Sequence, residues 1–78
     1  MYFVYAIKSL KKDWVYVGIT DNLERRLNQH NKGYNRSTKP YLPFEMVYVE
    51  KHPDRTSARV REKYLKTASG KRWLKKQF

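Results

Sequence analysis

Two short runs near the start constrain this chain more than anything else in it. Residues 2–8 read YFVYAIK and residues 14–19 read WVYVGI. Both are apolar without alternation and rich in aromatic and β-branched side chains, the pattern of strands buried on both faces. The connector Ser9-Leu10-Lys11-Lys12-Asp13 is short and polar, so the two runs should pair as an antiparallel hairpin. A hairpin with two apolar faces needs cover on each side. A chain of 78 residues has room for one domain, here 1–78, so the cover must come from a few helices of the same chain.

Those helices can be located. Between the hairpin and a third strand at 44–50 (FEMVYVE), Asp21 or Asn22 can cap a helix. Leu23, Arg26, Leu27 and His30 share one of its faces at i, i+3, i+4 and i+7. Gly33 can close it, and the Gly- and Pro-punctuated stretch 33–43 is a loop. In the third strand, Phe44, Met46 and Tyr48 should share a side, with Val47 and Val49 on the other. After Pro53, Thr56 or Ser57 can cap a second helix through ARVREKYLKTA, which Gly70 ends or kinks. KRWLKKQF reads as a short last helix, with Trp73, Leu74 and Phe78 turned inward. The expected fold is α+β: a three-stranded antiparallel sheet flanked by helices, in the order β-β-α-β-α-α.

Charge bounds the partners. Eighteen Lys and Arg stand against seven acids, a formal net charge of +11. Such an excess on a short chain favours a polyanion, nucleic acid before membrane, since the apolar runs are far too short to span a bilayer. Met1 leads into a strand with no basic n-region or cleavage site, and a cytoplasmic setting is expected. With no cysteine, disulfides, Cys-ligated zinc and thiol nucleophiles are excluded. There is no Gly-rich phosphate loop. His30 and His52 lack metal-site spacing, and Ser9, Ser37, Ser57 and Ser69 read as turn or cap residues.

What remains is a set of chemically capable residues in unusual places. Tyr5 and Tyr16 lie inside strands. Gly18, two residues after Tyr16, suggests close backbone approach. Arg26 and His30 share the inward helix face, where a cation wants an anion. Glu62 sits among Arg59, Arg61, Lys63 and Lys66. Each has a plain alternative: a core tyrosine with its hydroxyl at the rim, a buried ion pair, a surface partner of Lys66 and Arg59.

Their joint spacing resembles the GIY-YIG nuclease family. The first half-motif appears as Phe3-Val4-Tyr5 and the second as Tyr16-Val17-Gly18, separated by a short basic turn. Arg26 follows Gly18 by eight residues and His30 by twelve. A proline-bounded strand, LPFEMVYVE, then precedes a helix with Glu62 in EKYLK. The likeness covers nearly the whole chain and is greatest to small standalone bacterial members. It extends to the N-terminal catalytic domain of the excision-repair nuclease subunit and to the cleavage domain of some phage homing endonucleases. Phe3 stands in place of the motif's first glycine, and the late asparagine of many larger members is missing.

The resemblance implies metal-dependent hydrolysis of phosphodiester bonds in DNA, with RNA left open, in a repair or recombination setting. It implies catalytic roles for Tyr5, Tyr16, Arg26, His30 and Glu62. Glu62 would hold one Mg²⁺ or Mn²⁺, Arg26 would grip phosphate oxygens, and Tyr16 would be the general base. A free phenol ionises near pH 10, so that role calls for nearby cations. Tyr5 would orient the water or hydrogen-bond Tyr16, and His30 would brace the phosphate or Tyr5. Gly18, Arg26, Lys39, Arg59, Lys63, Lys66 and Arg72 would meet the nucleic acid. The chain would be a cleavage core without a targeting domain, directed by the substrate's structure or by a protein partner. The alternative is a non-catalytic binding module, in which Arg59, Lys63, Arg72, Lys75 and Lys76 are interleaved with Tyr34, Tyr41 and Trp73.

Overall fold

The computed structural model describes residues 1–78. Its elements run β1 (Tyr2–Ser9), β2 (Val15–Thr20), α1 (Leu23–Asn31), β3 (Phe44–His52), α2 (Arg55–Leu65) and α3 (Ala68–Lys75), with a single 3₁₀ turn at Lys39–Tyr41. The sheet is antiparallel in the order β2-β1-β3. The α+β class and element order therefore match the sequence expectation. No helix is long and apolar enough to cross a membrane.

Position in the sheet explains the two-sided apolar pattern. β1 is the central strand, and Val4, Tyr5, Ala6 and Ile7 expose no surface at all. Successive side chains point to opposite faces. Val4 and Ala6 join Val17, Ala58, Leu65 and Leu74 under α2 and α3. Tyr5 and Ile7 join Phe44, with Leu23 and Leu27 of α1 packed on them. Each fully buried large apolar side chain contributes about 1.5–3 kcal/mol. One strand thus anchors two separate layers.

The hairpin turn is held by Ser9, whose Oγ accepts from the amides of Lys11 and Lys12 and donates to the Tyr41 carbonyl. Asn22 caps α1 by accepting from the Arg25 amide, while Asp21 pairs with the Arg25 side chain. Gly33, at φ 79°, ends α1. Its amide donates to His30 and that of Tyr34 to Gln29, the paired bonds of a Schellman closure.

Four local expectations need correction. An extra residue at Val47 opposes the Ala6–Ile7 junction, so Ala6 faces Tyr48 while Ile7 faces Met46. This bulge moves Tyr48 to the α2/α3 side, opposite Phe44 and Met46. Asp54, in extended conformation, caps α2 through the Ser57 amide, so neither Thr56 nor Ser57 does. α2 stops at Leu65 because Thr67 opens a new helix: its hydroxyl donates to the Tyr64 carbonyl and accepts from the Gly70 amide. Gly70 therefore lies inside α3, and a Cβ there would collide with the Tyr64 carbonyl. Of the three residues expected to turn inward only Leu74 is buried, whereas Trp73 lies at the rim and Phe78 is exposed. Trp73 serves instead as a platform for Arg61, whose guanidinium carbon lies 4.7 Å from the ring centre.

Candidate active site

Four elements deliver the site. β1 contributes Tyr5, β2 contributes Tyr16 and Gly18, α1 contributes Arg26 and His30, and α2 contributes Glu62 and Lys66. The α1 residues arrive together because i and i+4 lie on one face, and Leu23 and Leu27 press that face onto the sheet.

Tyr5 is the hub. Its hydroxyl lies 2.9 Å from His30 Nε2 and receives a bond from Arg26 Nε at 3.3 Å. His30 Nδ1 lies 2.9 Å from the Thr38 hydroxyl. Thr38 in turn bonds the Asn35 carbonyl at 3.3 Å. A carbonyl can only accept, and this fixes the polarity of the whole chain of bonds. Thr38 donates to Asn35, His30 Nδ1–H donates to Thr38, and the bare Nε2 accepts from Tyr5. Arg26 then donates to the Tyr5 oxygen. Both ring nitrogens are satisfied with the imidazole neutral.

The proton equilibria agree with that assignment. Burial pushes Tyr5 up to about 12, against the opposing pull of Arg26, while Tyr16 and Glu62 add to the rise. Burial, with the Arg26 charge acting in the same direction, lowers His30 to about 4. The pair is a neutral phenol bonded to a neutral imidazole.

Tyr16 stands beside this hub. Its ring centre lies 6.5 Å from Tyr5 and 5.2 Å from His30. The Tyr5 hydroxyl bonds His30 and Arg26, and its relation to Tyr16 is ring against ring. Gly18 has a local purpose: a Cβ there would sit 2.6 Å from the Tyr5 hydroxyl oxygen. The close approach suggested by a glycine in mid-strand is made by the phenol of Tyr5, its cross-strand partner.

Glu62 reaches the site from α2. Its side chain is 13% exposed, and Lys66 Nζ lies 3.1 Å from Oε2 and Arg59 Nε 3.7 Å from Oε1. Lys66 Nζ also lies 5.5 Å from the Tyr16 ring centre. Lys63 is exposed on the same helix. Lys39 and Arg72 are exposed on the 3₁₀ turn and on α3 and make none of the contacts that assemble the site; Arg72 bonds Ser69. No group of three or more His, Asp or Glu side chains is placed to hold a metal ion.

Sequence reasoning missed Thr38 and Gln29. Thr38 is fully buried and completes His30. Gln29 accepts from Arg26 Nη1 at 3.1 Å. Nothing local marks Thr38, which lies in the loop. Gln29 could have been found, as it stands at i+3 from Arg26.

The comparisons identify the family. The family model for the GIY-YIG catalytic domain matches residues 1–77. A UPF0213 protein of Clostridium perfringens is 37% identical over 67 residues, covering 85% of this chain and 71% of that protein. One from Staphylococcus haemolyticus is 36% identical over 75 residues, covering 95% and 90%. One from Bacillus cereus is 37% identical over 57 residues, covering 72% of this chain and 59% of its own. No solved structure matches. A family model that spans nearly the whole sequence, on a chain whose sheet carries both tyrosines to one hub, shows that the protein belongs to the GIY-YIG catalytic-domain family of nucleases.

Proposed function

We propose that this protein is a metal-dependent endonuclease that hydrolyses phosphodiester bonds in DNA, directed by substrate structure or by a partner. The observation that carries this reading is the buried Tyr5–His30 pair holding Arg26 beside Tyr16, with Lys66 linking Glu62 to the Tyr16 ring.

Each residue has a distinct task. Arg26 spends Nε on Tyr5 and one Nη1 proton on Gln29, which fixes its plane. The remaining N–H groups are free to bind phosphate oxygens and stabilise charge that develops on them. Tyr5 and His30 are positioning residues: fully buried, His30 holds Tyr5, Tyr5 holds Arg26, and neither meets water. Tyr16 is only half-buried, so its hydroxyl can release its own proton to solvent and take that of the attacking water. Glu62 would hold a divalent ion. One carboxylate does not make a cage, but Mg²⁺ keeps several waters and is commonly bound by one or two carboxylates together with substrate phosphates, so the donor set fits. When bound, such an ion supplies charge neutralisation at the scissile phosphate. Arg59, Lys63 and Lys66 extend the cationic surface along α2.

A nicking assay on plasmid and on branched or flapped DNA, with and without Mg²⁺ or Mn²⁺, tests this. Arg26→Ala, Tyr16→Phe and Glu62→Ala should each reduce cleavage by about 10²-fold or more with the fold intact. Cleavage undiminished by Glu62→Ala would overturn the metal assignment. Salt-sensitive binding with no turnover in any metal would instead establish a binding module.

A further inference from the structure

Glu62 is the acid of the site, and both its oxygens are engaged. Lys66 Nζ donates to Oε2 at 3.1 Å, and Arg59 Nε lies 3.7 Å from Oε1. The partners stand at i+4 and i−3 on the same helix, so α2 itself brings them to the carboxylate. A divalent ion approaching Glu62 meets two positive charges already in place. No cluster of three or more His, Asp or Glu side chains stands there to offset them. The free protein should therefore hold such an ion weakly.

The two cations are also easy to redirect. Their side chains are 47% and 56% exposed, and exposed pairs of this kind are worth about 0–1 kcal/mol. Both have long flexible stems, and a phosphate backbone offers each a competing anion. Moving Lys66 and Arg59 onto phosphates would leave Glu62 with its charge uncompensated and its oxygens open.

We propose that Arg59 and Lys66 are handed from Glu62 to the nucleic-acid backbone, so that backbone and divalent ion bind this site cooperatively. The proposal rests on the reading of Glu62 as the metal-holding residue and of α2 as part of the nucleic-acid surface. Coupling of this kind is reciprocal: each ligand must raise the other's affinity by the same factor.

The test uses the full chain, Mn²⁺ and a phosphorothioate oligonucleotide that resists cleavage. Mn²⁺ binding is read from the free-ion electron paramagnetic resonance signal, with and without the oligonucleotide. Glu62→Gln with the same oligonucleotide corrects for ions held by the nucleic acid itself. Oligonucleotide binding is read by fluorescence anisotropy at fixed ionic strength, with and without Mn²⁺. The expected mutual enhancement is about tenfold. Arg59→Gln/Lys66→Gln should bind Mn²⁺ more tightly than the parent protein when no oligonucleotide is present. It should bind oligonucleotide more weakly and lose most of the enhancement. Glutamine keeps helix propensity, circular dichroism checks the fold, and Lys66→Gln alone serves if the double variant unfolds. Independent binding of the two ligands, or unchanged or weaker Mn²⁺ affinity in the variant, would overturn the proposal. Plasmid cleavage run in parallel separates the two ideas. Cleavage without coupling sinks the handover and leaves the nuclease; coupling without cleavage does the reverse.

Discussion

The Tyr5 hydroxyl lies 2.9 Å from His30 Nε2, and neither residue exposes any surface to solvent. This bond joins the middle of the central strand to the last turn of α1. It also sets where Arg26 can be, because Arg26 donates to the same oxygen.

His30→Ala should therefore be costly. It removes a buried side chain and leaves the Tyr5 and Thr38 hydroxyls without their partner. A loss of about 2–4 kcal/mol is expected from cavity and unsatisfied polar groups together. Tyr5→Phe keeps the ring and should cost less, about 1–3 kcal/mol. Urea unfolding followed by circular dichroism gives both values, and a change below 0.5 kcal/mol for His30→Ala, on the order of a neutral surface substitution, would contradict the network.

The same histidine should make stability depend on pH. Its value in the fold, about 4, lies below the ordinary 6.5. The unfolded chain therefore takes up the proton first. Stability should be unaffected by this group above about pH 6.5 and should fall as the pH drops toward about 4, by on the order of 3 kcal/mol. His30→Gln should flatten that slope. An NMR titration showing His30 protonated near pH 6.5 in the folded protein would refute the account.

On the opposite face, Glu50 binds β3 to α2. It accepts from the Tyr48 hydroxyl at 2.5 Å and from Arg61 Nε at 3.1 and 3.2 Å, and His52 Nε2 lies 2.7 Å away. Burial alone would raise its pKa, but the bonds from Tyr48 and His52 and the Arg61 charge and bond together hold it below the usual carboxylate value. Its contribution should be present above the ordinary carboxylate range and be lost as the pH falls through the depressed value. Glu50→Gln should cost about 1–3 kcal/mol at pH 7, read from the same urea curves.

Two glycines should differ in their response to alanine. A Cβ at Gly18 meets the Tyr5 hydroxyl oxygen at 2.6 Å, while one at Gly70 meets the backbone carbonyl of Tyr64. A side chain can shift and a packed helix end can do so only with its helix. Gly70→Ala should therefore destabilise more, despite the gain of about 1 kcal/mol in helix propensity. Gly18→Ala should instead displace Tyr5 and loosen Arg26, so its larger effect should be on cleavage. Thermal unfolding and nicking rates of the two variants decide this.

Much of this was legible in the sequence because local pattern and global fold agree. The unalternating runs at 2–8 and 14–19 announced strands with two covered faces. The spacing of Leu23, Arg26, Leu27 and His30 placed the right side chains on the sheet. What failed to show was set by contacts across the fold. The side taken by Tyr48 depends on an extra residue opposite Ala6 and Ile7, which β3 alone does not reveal. Gly70 looked like a helix end because helical glycines often are, yet its reason is a neighbouring carbonyl. Thr38 is a loop threonine until His30 is brought beside it.

The central position of β1 has one more consequence. Val4 and Ala6 are sealed by one layer and Tyr5 and Ile7 by the other, and the strand is hydrogen-bonded on both sides. Each of its amide protons is bonded to one flanking strand, so its exchange with solvent requires that strand and the helix packed on it to come away. The hydroxyl that receives the Arg26 hydrogen bond is thus fastened to the most enclosed strand of the molecule. Fraying at the C-terminal end, beyond α3, would leave Tyr5, His30 and Arg26 in register.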